Sequence, residues 1–600
     1  VYVATYQTLN PDGSFDAVQT TSMIEDYFAR ISGDDSLIDI ALGRIPIRSV
    51  EQGLAVIDKI KHYETQSSID LWRTKITLIA DDVWTTEGPF GDSSVLHTPQ
   101  SEDLSRDYIP SSLYQKKIYL PEYPTENIPG GRRKPRVTED MVNSINRGTL
   151  ILNWIGHGNP RVWAHEQIFD KDVTIPLMTN RDKLFFLVAA TCDFGRIDDP
   201  ARQSGAEELF TSTIGGAIGV FSASRTFYSS SNAALSKKFY SHLFDNKNGE
   251  YPRLGDAVLL TKLEASDKND QKFFLLGDPT LRLLLPPHTI RITSIDSVDV
   301  PSDTLPQLKA LSTVRITGDV LAADSTIDTA FNGTVVLNLY DSDIYKEVKD
   351  LEIFTHKYFV FGGLLNVSAD SVRNGKFTAT MVVPQDISFS DQPGRLNAYA
   401  FSPTTFAKGN SREFTIGGVD TTAVNDNRGP SIYVYMDTYT FRSGDLVKPI
   451  PELIVDLYDE TGINATGLGI GHDIEAWIDD SPNSIRLTRD FTISLEDFRR
   501  GTAIKELFDL KPGTHRIRVR AWDVFNNFSE VETYFRIAGG QDELIVDEIF
   551  NYPNPFSEQT TIAFRHNQLE ILNSKVAIYS IDGKLVRTLQ QPITTRSAAV

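Results

Sequence analysis

The sequence predicts a parallel α/β domain followed by all-β sandwich modules. Up to residue 288, continuous apolar runs alternate with helical patterns, which is typical of a parallel sheet covered by helices on both faces. After Pro286-Pro287 the pattern changes to short alternating segments separated by Gly, Asp, Asn and Ser, as in β-sandwich modules. A chain of 600 residues is too long to fold around a single hydrophobic core, so we expect about three to five domains.

The α/β part contains strand-like apolar runs separated by helical stretches. Apolar residues recur at helical spacing in the first of these stretches, and a second stretch follows the last run. The predicted helices are Glu51–Glu64 and Asn232–Phe244, and the predicted strands are Ile38–Leu42, Lys75–Ala80, Leu150–Ile155, Leu184–Ala190 and Gly216–Phe221.

The second half contains two sets of alternating segments and the start of a third β unit. The first set is Thr289–Ile295, Thr313–Val320, Gly333–Tyr340, Lys376–Val383, Arg395–Phe401 and Arg412–Ile416. The second set is Ser431–Met436, Glu452–Leu457, Asp473–Ile478, His515–Ala521 and Val531–Ile537. We therefore predict domains over 1–288, 289–420, 421–540 and 541–600, with Gly539-Gly540 in a linker and the last unit truncated.

Composition excludes several classes of protein. A net charge of −21 argues against nucleic-acid binding, because phosphates would be repelled. No apolar run reaches the roughly 20 residues that span a bilayer as a helix. With one cysteine, the chain has neither an internal disulfide nor a Cys-rich zinc site. We expect the chain to be a fragment of a larger protein, since it begins at Val1 and ends without completing an element.

Two predicted strands end on reactive residues. Leu150–Ile155 leads into Gly156-His157-Gly158, and Leu184–Ala190 leads into Thr191-Cys192. The 35 residues between His157 and Cys192 fit one crossover between parallel neighbouring strands, which would bring imidazole and thiol to the same sheet edge. An imidazole beside a thiol is the arrangement that thiol catalysis requires. The sequence therefore predicts Cys192 as nucleophile and His157 as its base. The alternative is a turn histidine near a core cysteine.

Other groups are candidates for the rest of the site. The backbone N–H groups of Gly158 and Cys192 are candidates for the oxyanion hole. Asp82, at the end of the predicted strand Lys75–Ala80, is the preferred acid to orient the imidazole, and Asp81 is the alternative. His165 is a rival base, ranked below His157 because it lies well beyond the strand end.

The loop after the next buried strand is the candidate substrate pocket. It would lie beside the nucleophile and shape the subsite before the scissile bond, although an ordinary polar loop is the alternative. The candidate pocket residues are Trp163, Ser222, Ser224 and Tyr228.

Several motifs resemble the gingipain family of cysteine peptidases over about residues 20–285. They are Gly156–Gly158, Ala190–Cys192, Leu42–Arg48 with the helix that follows it, and Leu275–Leu281. The resemblance implies a caspase-like α/β fold and a Cys–His dyad with an acidic orienter, carried over onto Cys192, His157 and Asp82. The family usually has Asn-Gly soon after the nucleophile, whereas Asp193–Arg196 stands here, so Arg or Lys specificity is not carried over.

The C-terminal half resembles the sortase-like members of that family, which serve the type IX secretion system of Bacteroidetes. The resembling segments are Asp426–Ile432, Asp459–Asn464 and Gly469–Ile474, and Asn551–Phe556 with the strands after it resembles the start of a type IX C-terminal sorting domain. The resemblance implies an enzyme on the outer face of the outer membrane. It would cut the C-terminal signal from exported cargo and join the new carboxyl end to an amine of anionic lipopolysaccharide.

The implied partners are type IX cargo proteins with C-terminal signal domains, anionic lipopolysaccharide, the outer-membrane barrel protein PorV and other attachment-complex subunits. No cofactor is required, and structural calcium is an expectation that rests only on plentiful acidic loops. We predict no metal site at His472, where one His beside one Asp is more often structural. The alternative functions are a secreted gingipain-like protease that degrades external proteins and a non-enzymatic surface adhesin.

Overall fold

The computed structural model describes most of the chain. The described residues are 5–7, 24–35, 37–65, 71–84, 97–226, 229–247, 249–264, 270–351, 354–466, 472–494, 497, 499–537, 546–566 and 572–593. Within these ranges the sheets divide the chain into an α/β domain, two β modules and two β-hairpins. The predicted fold class is confirmed.

The α/β domain extends to residue 285. Its strands are β1 (Lys75–Ala80), β2 (Tyr114–Tyr119), β3 (Glu126–Ile128), β4 (Gly131–Arg133), β5 (Ile151–Ile155), β6 (Val162–Trp163), β7 (Phe169–Asp170), β8 (Phe185–Ala190), β9 (Ala217–Ala223) and β10 (Phe273–Leu276). Its helices are α1 (Val50–Thr65), α2 (His97–Asp103), α3 (Pro135–Arg147), α4 (Lys171–Thr174), α5 (Gly205–Thr211), α6 (Ser229–Leu243) and α7 (Leu254–Glu264).

The main sheet of this domain has the order β10-β9-β8-β5-β1-β2. All neighbours are parallel except β10, which runs antiparallel to β9. Strands β5, β8 and β9 are buried along their whole length, and a separate apolar core covers each face of the sheet. Burial on both faces explains the continuous apolar runs in the sequence.

The main sheet differs from the sequence prediction in three places: one predicted strand is absent, and the edge strands β2 and β10 were not predicted. The prediction of a strand over Ile38–Leu42 is wrong: the structure forms no strand at these residues, and the nearby Arg44 makes a single parallel bridge with Leu276. Strand β2 is not evident in the sequence, since it is the edge strand and carries Lys116 and Lys117 in place of a continuous apolar run.

The first β module follows directly. Its strands are β11 (His288–Ile295), β12 (Val298–Asp299), β13 (Gln307–Ala310), β14 (Thr313–Leu321), β15 (Gly333–Tyr340), β16 (Ile344–Asp350), β17 (Phe354–Val360), β18 (Leu364–Val372), β19 (Lys376–Val382), β20 (Gln392–Pro393), β21 (Arg395–Phe401), β22 (Phe406–Ser411) and β23 (Thr415–Val419). The large sheet has the order β18-β15-β21-β22-β11-β14-β19, and its inward side chains form one core.

One hairpin of this module, formed by β16 and β17, is not part of its large sheet. Strands β16 and β17 pair only with each other, while β15 and β18, on either side of them in sequence, are direct neighbours. We call residues 344–360 the 344–360 hairpin. Its Tyr358 is buried in the core of the α/β domain, and Val348 and Val360 pack against that core. The hairpin therefore belongs by sequence to the β module and by packing to the α/β domain.

The second β module is a two-sheet sandwich around its own core. Its strands are β24 (Ser431–Met436), β25 (Leu446–Val447), β26 (Glu452–Tyr458), β27 (Glu475–Ile478), β28 (Ile485–Arg486), β29 (Phe491–Ile493), β30 (Arg500–Glu506), β31 (Gly513–Trp522) and β32 (Phe528–Ile537). The sheet orders are β24-β26-β30-β29 and β25-β32-β31-β27-β28. Two hairpins follow, formed by β33 (Val546–Tyr552) with β34 (Thr561–His566) and by β35 (Leu572–Tyr579) with β36 (Leu585–Ile593).

Asp386 joins the two β modules. Its carboxylate, on the first module, accepts hydrogen bonds from Asn464 at 3.0 Å and Asn526 at 2.8 Å on the second. His472 Nδ1 lies 2.7 Å from the same carboxylate. Burial opposes ionisation of Asp386, but these three partners together lower its pKa. His472 thus has a structural partner.

In the part of the chain that the structure describes, every helix is too short or too polar to span a bilayer.

Candidate active site

The ends of β5 and β8 bring His157 and Cys192 to the same edge of the sheet. The two strands are parallel neighbours, and Ile155 at the end of one is opposite Ala190 at the end of the other. His157 and Cys192 each follow two residues later. The N–H of Gly156 donates to the carbonyl of Ala190 at 3.4 Å, so the pairing continues beyond the strands. Both residues are partly buried, and the ring nitrogen Nε2 of His157 is buried.

Gly158 lies in a tight turn that directs its N–H outward. The N–H of Ala164 donates to the carbonyl of His157 at 2.9 Å, and the N–H of Asn159 donates to the carbonyl of Val162 at 3.0 Å. These two bonds flank Gly158, which therefore occupies a non-hydrogen-bonded position and points its N–H away from the opposite strand. This orientation suits a donor to an oxyanion.

Glycine is also required at position 158 by a close approach of the neighbouring strand end. A Cβ atom at this position would lie 2.5 Å from Oγ1 of the buried Thr191, closer than atoms of these types pack. The residue before the nucleophile and the residue after the candidate base are thus in contact.

Asp81 is the acid that contacts the His157 segment. Its Oδ2 accepts the N–H of His157 at 2.9 Å, and its Oδ1 accepts the N–H of Asp82 at 3.0 Å. One carboxylate oxygen of Asp81 lies within 4.8 Å of a ring nitrogen of His157 and of a ring nitrogen of His97. Burial raises the pKa of Asp81 well above its ordinary value, and the nearby carboxylates of Asp82 and Glu166 raise it further.

Asp82 faces a different set of groups. Its Oδ1 accepts the N–H of Trp84 at 3.0 Å, and its Oδ2 lies 3.3 Å from Nζ of Lys134 and 3.7 Å from Arg132. Burial raises the pKa of Asp82, and the charge of Lys134 opposes this effect. The preferred orienting acid of the sequence analysis is therefore paired with cations, while its alternative, Asp81, holds the backbone of His157.

Three imidazoles meet at the site. The ring of His157 packs edge-on against His97, with centroids 5.4 Å apart, and lies 5.1 Å from the ring of His165. His165, the rival base of the sequence analysis, is thus in direct contact with His157. His97 is buried at the start of α2, and sequence reasoning missed it because no motif or strand end marks its position.

A buried acidic group lies behind the imidazoles. Oε1 of Glu166 accepts a hydrogen bond from Arg132 at 2.8 Å, and burial raises the pKa of Glu166. Two sets of ligand atoms lie close enough to hold a metal ion: Asp81, His97 and His157, and Asp81, Asp82 and Glu166. The second set already has Arg132 and Lys134 as counter-charges. Structural calcium stays a prediction.

The loop after Cys192 is fixed to the end of β9. Asp193 adopts a left-handed backbone conformation with φ of 56°. The N–H of Gly195 donates to the carbonyl of Ala223 at 2.8 Å, and the buried guanidinium of Arg225 forms an ion pair with Asp198. Burial alone would raise the pKa of Asp198, but the hydrogen bond and charge of Arg225 lower it. These contacts hold the nucleophile loop in a defined position.

The candidate pocket residues that the structure describes lie in the interior and do not line a pocket. Ser222 is inside β9 and donates to the carbonyl of Ala189 at 3.1 Å, because the strand extends to Ala223, beyond the predicted end. Ser224 is also buried. Trp163 is fully buried and stacks on Trp154 with centroids 5.5 Å apart. Tyr228 lies outside the described residues.

An open groove of about 610 Å³ lies beside the turn that carries His165. It runs between α3 and α4, and its apolar lining includes Val142, Val173 and Leu177, with Glu166 at one side. Val173 and Leu177 are exposed. Glu166 and Gln167, which follow His165 in sequence, also line the groove.

Comparisons with known proteins link this domain to cysteine peptidases. The model of "Peptidase family C25" matches residues 2–284. Gingipain R2 of Porphyromonas gingivalis is 23% identical over 169 residues, which are 28% of this chain and 21% of the relative. Gingipain R1 of the same organism is 23% identical over 169 residues, or 15% of its length. The chain thus spans about a fifth or less of the length of these curated relatives.

Two solved structures are also similar to this chain. The crystal structure of dimeric latent PorU from Porphyromonas gingivalis is 22% identical and matches 98% of this chain and 50% of that chain, with a TM-score of 0.32. The Arg-specific cysteine proteinase gingipain R (RgpB) is 16% identical and matches 66% of this chain and 79% of that chain, with a TM-score of 0.37.

Proposed function

Since residues 2–284 form a gingipain-family domain of peptidase family C25, we propose that this chain is a PorU-like cell-surface cysteine endopeptidase and transpeptidase. In this proposal it removes the C-terminal sorting signal from type IX secretion cargo. It then transfers the new carboxyl end, through a thioester on Cys192, to an amine of anionic lipopolysaccharide.

The observation that carries the proposal is the parallel pairing of β5 with β8. This pairing ends both strands at one edge, with His157 and Cys192 at equivalent positions after Ile155 and Ala190. A thiol and an imidazole so related form the minimum arrangement for thiol acyl transfer. Both residues are partly exposed, whereas Asp81 and Asp82 at the end of β1 are buried.

In the first half-reaction, the Cys192 thiolate attacks the carbonyl carbon before the signal domain. The oxyanion that forms is stabilised by the N–H groups of Gly158 and Cys192, at about 3 kcal/mol for one well-placed donor. His157, protonated by the thiol, gives its proton to the leaving amine as the C–N bond breaks. The carboxyl side of the cargo is left as a thioester, and the signal domain leaves with a free amino end.

In the second half-reaction, His157 removes a proton from the incoming amine of the glycolipid. The amine attacks the thioester, a new amide bond forms, and the C–S bond breaks to return the Cys192 thiolate. Asp81 supports both steps, because its carboxyl group accepts the backbone N–H of His157 and so holds the segment that carries the imidazole. With water in place of the amine, the same steps give simple hydrolysis.

Location and partners belong to the same proposal. We place the enzyme on the outer face of the outer membrane, held by PorV and other attachment-complex subunits. The support is the resemblance of Asn551–Phe556 and the following strands to a type IX sorting domain; in the structure, this region contains the hairpins of β33 with β34 and β35 with β36. Anionic lipopolysaccharide is the proposed acceptor and also the surface to which the cargo becomes attached.

The test compares the intact mass of an exported cargo protein from cells carrying full-length wild type, Cys192→Ala or a control variant. We choose Glu506→Gln as control, because Glu506 is an exposed carboxylate on β30 of the second β module. Wild type and control should yield cargo that lacks the signal domain and carries glycolipid mass, whereas Cys192→Ala should retain the signal. Cleaved cargo without added mass would restrict the function to hydrolysis, and identical cargo in all strains would refute the proposal.

The second candidate is a gingipain-like protease that degrades external proteins. It is favoured by the sequence match to gingipains R1 and R2. Release of peptides from denatured protein by purified wild type, abolished in Cys192→Ala, would support it when cargo processing is unaffected.

A further inference from the structure

The 344–360 hairpin of the first β module reaches the candidate active site. Its Asp350 accepts the backbone N–H of Val83 through Oδ2 at 2.9 Å, and Nε2 of His356 lies 3.1 Å from the same oxygen. Asp350 is 3% exposed and His356 is 2% exposed. Val83 directly follows the Asp81-Asp82 pair, so Asp350 holds the end of the segment that supports His157.

The hairpin is fixed to the α/β domain by contacts around this hydrogen bond. Tyr358 packs edge-on against Tyr119 with centroids 5.0 Å apart, and its hydroxyl donates to Glu122. Lys117 donates to the carbonyl of Phe359 at 2.7 Å. Because aromatic, charged and backbone groups all take part, the hairpin has one defined position on the domain.

The hairpin is also connected to the imidazole of His157 through helix α2. Helix α2 contacts β17 on one side and β1 and β5 on the other. Its first residue, His97, packs its ring against His157 at 5.4 Å. The hairpin therefore contacts both elements that fix His157: the segment after β1 and helix α2.

We propose that Asp350 is a positioning residue for the His157–Cys192 dyad, so that the β module supplies part of the active site's support. Asp350 touches neither substrate nor the reacting atoms, and it acts by holding the segment 81–84 through Val83. His356 keeps the Asp350 carboxylate turned toward Val83. This inference rests on the dyad of the proposed function, and its test separates the two.

The test uses the fact that Cys192 is the single cysteine of the 600 residues. Alkylation of the full chain by iodoacetamide therefore reports on this thiolate alone, without any assumption about the substrate. An ordinary thiol has a pKa of about 8.5 and reacts slowly at about pH 6, while a thiol held beside an imidazole reacts faster there. The ratio of the alkylation rate of Cys192 at about pH 6 to its rate at about pH 9 therefore reports whether the imidazole of His157 is held beside the thiol.

Four variants complete the experiment. Asp350→Ala removes the acceptor of the Val83 N–H, and Asp350→Asn keeps an acceptor oxygen of the same shape. Glu347→Gln is the matched control, since Glu347 is an exposed carboxylate on the same hairpin, paired only with Lys357 at 3.1 Å and Tyr345 at 3.2 Å. His157→Ala defines the rate without the dyad.

We expect the rate ratio of wild type to exceed that of His157→Ala by about tenfold or more, which corresponds to about one pKa unit. Asp350→Ala should lose most of this advantage, while Asp350→Asn stays within about threefold of wild type and Glu347→Gln equals it. If Asp350→Ala does not fold, His356→Ala is tested in its place, and its rate ratio is expected to be about threefold lower than that of wild type.

The outcomes are distinguishable. If wild type and His157→Ala react alike, the dyad is absent, and both the proposed function and this inference fail. If the dyad is present but Asp350→Ala, or His356→Ala in its place, reacts like wild type, only this inference is overturned. A fall of Asp350→Asn to the level of Asp350→Ala would also overturn it, because the acceptor oxygen would then not be the cause.

Discussion

Replacing Asp81 and Asp82 one at a time by Asn should separate the acid that supports catalysis from the acid that supports the fold. Both oxygens of Asp81 accept backbone N–H groups, at 2.9 Å from His157 and 3.0 Å from Asp82. An amide has one acceptor oxygen, so one buried N–H would face an NH₂ group at a cost of about 1–3 kcal/mol of stability. Loss of one of these two backbone hydrogen bonds should displace the segment that carries His157 and lower kcat/KM about 100-fold, or about 2.7 kcal/mol.

Asp82→Asn should lower the stability of the protein more than its cleavage activity. Oδ2 of Asp82 lies 3.3 Å from the buried Nζ of Lys134, so the variant leaves a buried ammonium without its counter-charge. We expect a loss of about 3 kcal/mol in the free energy of unfolding. Activity of the folded enzyme should fall by less than about fivefold, because the partners of Asp82 are Trp84, Lys134 and Arg132.

The assay is cleavage of a peptide that spans the junction between a cargo protein and its signal domain, measured beside urea unfolding of the same preparations. Glu506→Gln, which changes an exposed carboxylate on β30 of the second β module, is the control and should match wild type in both measurements. The reasoning would be refuted if Asp82→Asn abolished cleavage without loss of stability while Asp81→Asn remained active. In that case Asp82 would be the orienting acid, as the sequence analysis preferred.

Three further predictions follow from other contacts. Gly158→Ala should lower cleavage activity more than tenfold and cost about 1–3 kcal/mol of stability, because the new Cβ would lie 2.5 Å from Thr191 Oγ1. Thr191→Ala in the same chain should restore part of both. Trp163→Ala should cost about 3–5 kcal/mol in urea unfolding, since the fully buried indole fills the core, whereas a pocket residue would change KM with stability intact. The pKa of Asp386 is lowered in the folded state, so its ionised carboxylate stabilises the folded protein fully above the ordinary pKa of 3.8. This contribution to the free energy of unfolding is lost as the pH falls through the folded pKa. Asp386→Asn should remove it, which urea unfolding of wild type and variant at about pH 7 and about pH 3 would measure.

The sequence contained the information for the central strands and for the sheet edge at which His157 and Cys192 lie. Strands β5 and β8 are buried on both faces, so their apolar runs were evident, and parallel pairing puts the residues after them at the same edge. The dyad itself stays a prediction. The gingipain resemblance extended this reasoning to the family. Cargo, lipopolysaccharide, PorV and calcium remain predictions.

Other parts of the site could not be derived in this way. The choice between Asp81 and Asp82 depends on side-chain direction at the end of a strand, which periodicity does not determine beyond the last paired residue. Ser222 was predicted to lie in the loop after the strand Gly216–Phe221, but the strand extends to Ala223 and Ser222 donates to Ala189. His97 and Asp350 carry no motif, and only the packing of distant segments brings His97 to His157 and Asp350 to Val83.

The bond between Val83 and Asp350 joins residues that are 267 positions apart. Because a polypeptide is synthesised from its amino end, Cys192 and His157 are made long before Asp350. Until the hairpin has been made and has packed against the α/β domain, the Val83 N–H lacks this acceptor. The order of synthesis therefore means that the site is fully supported only after more than half of the first β module has been made.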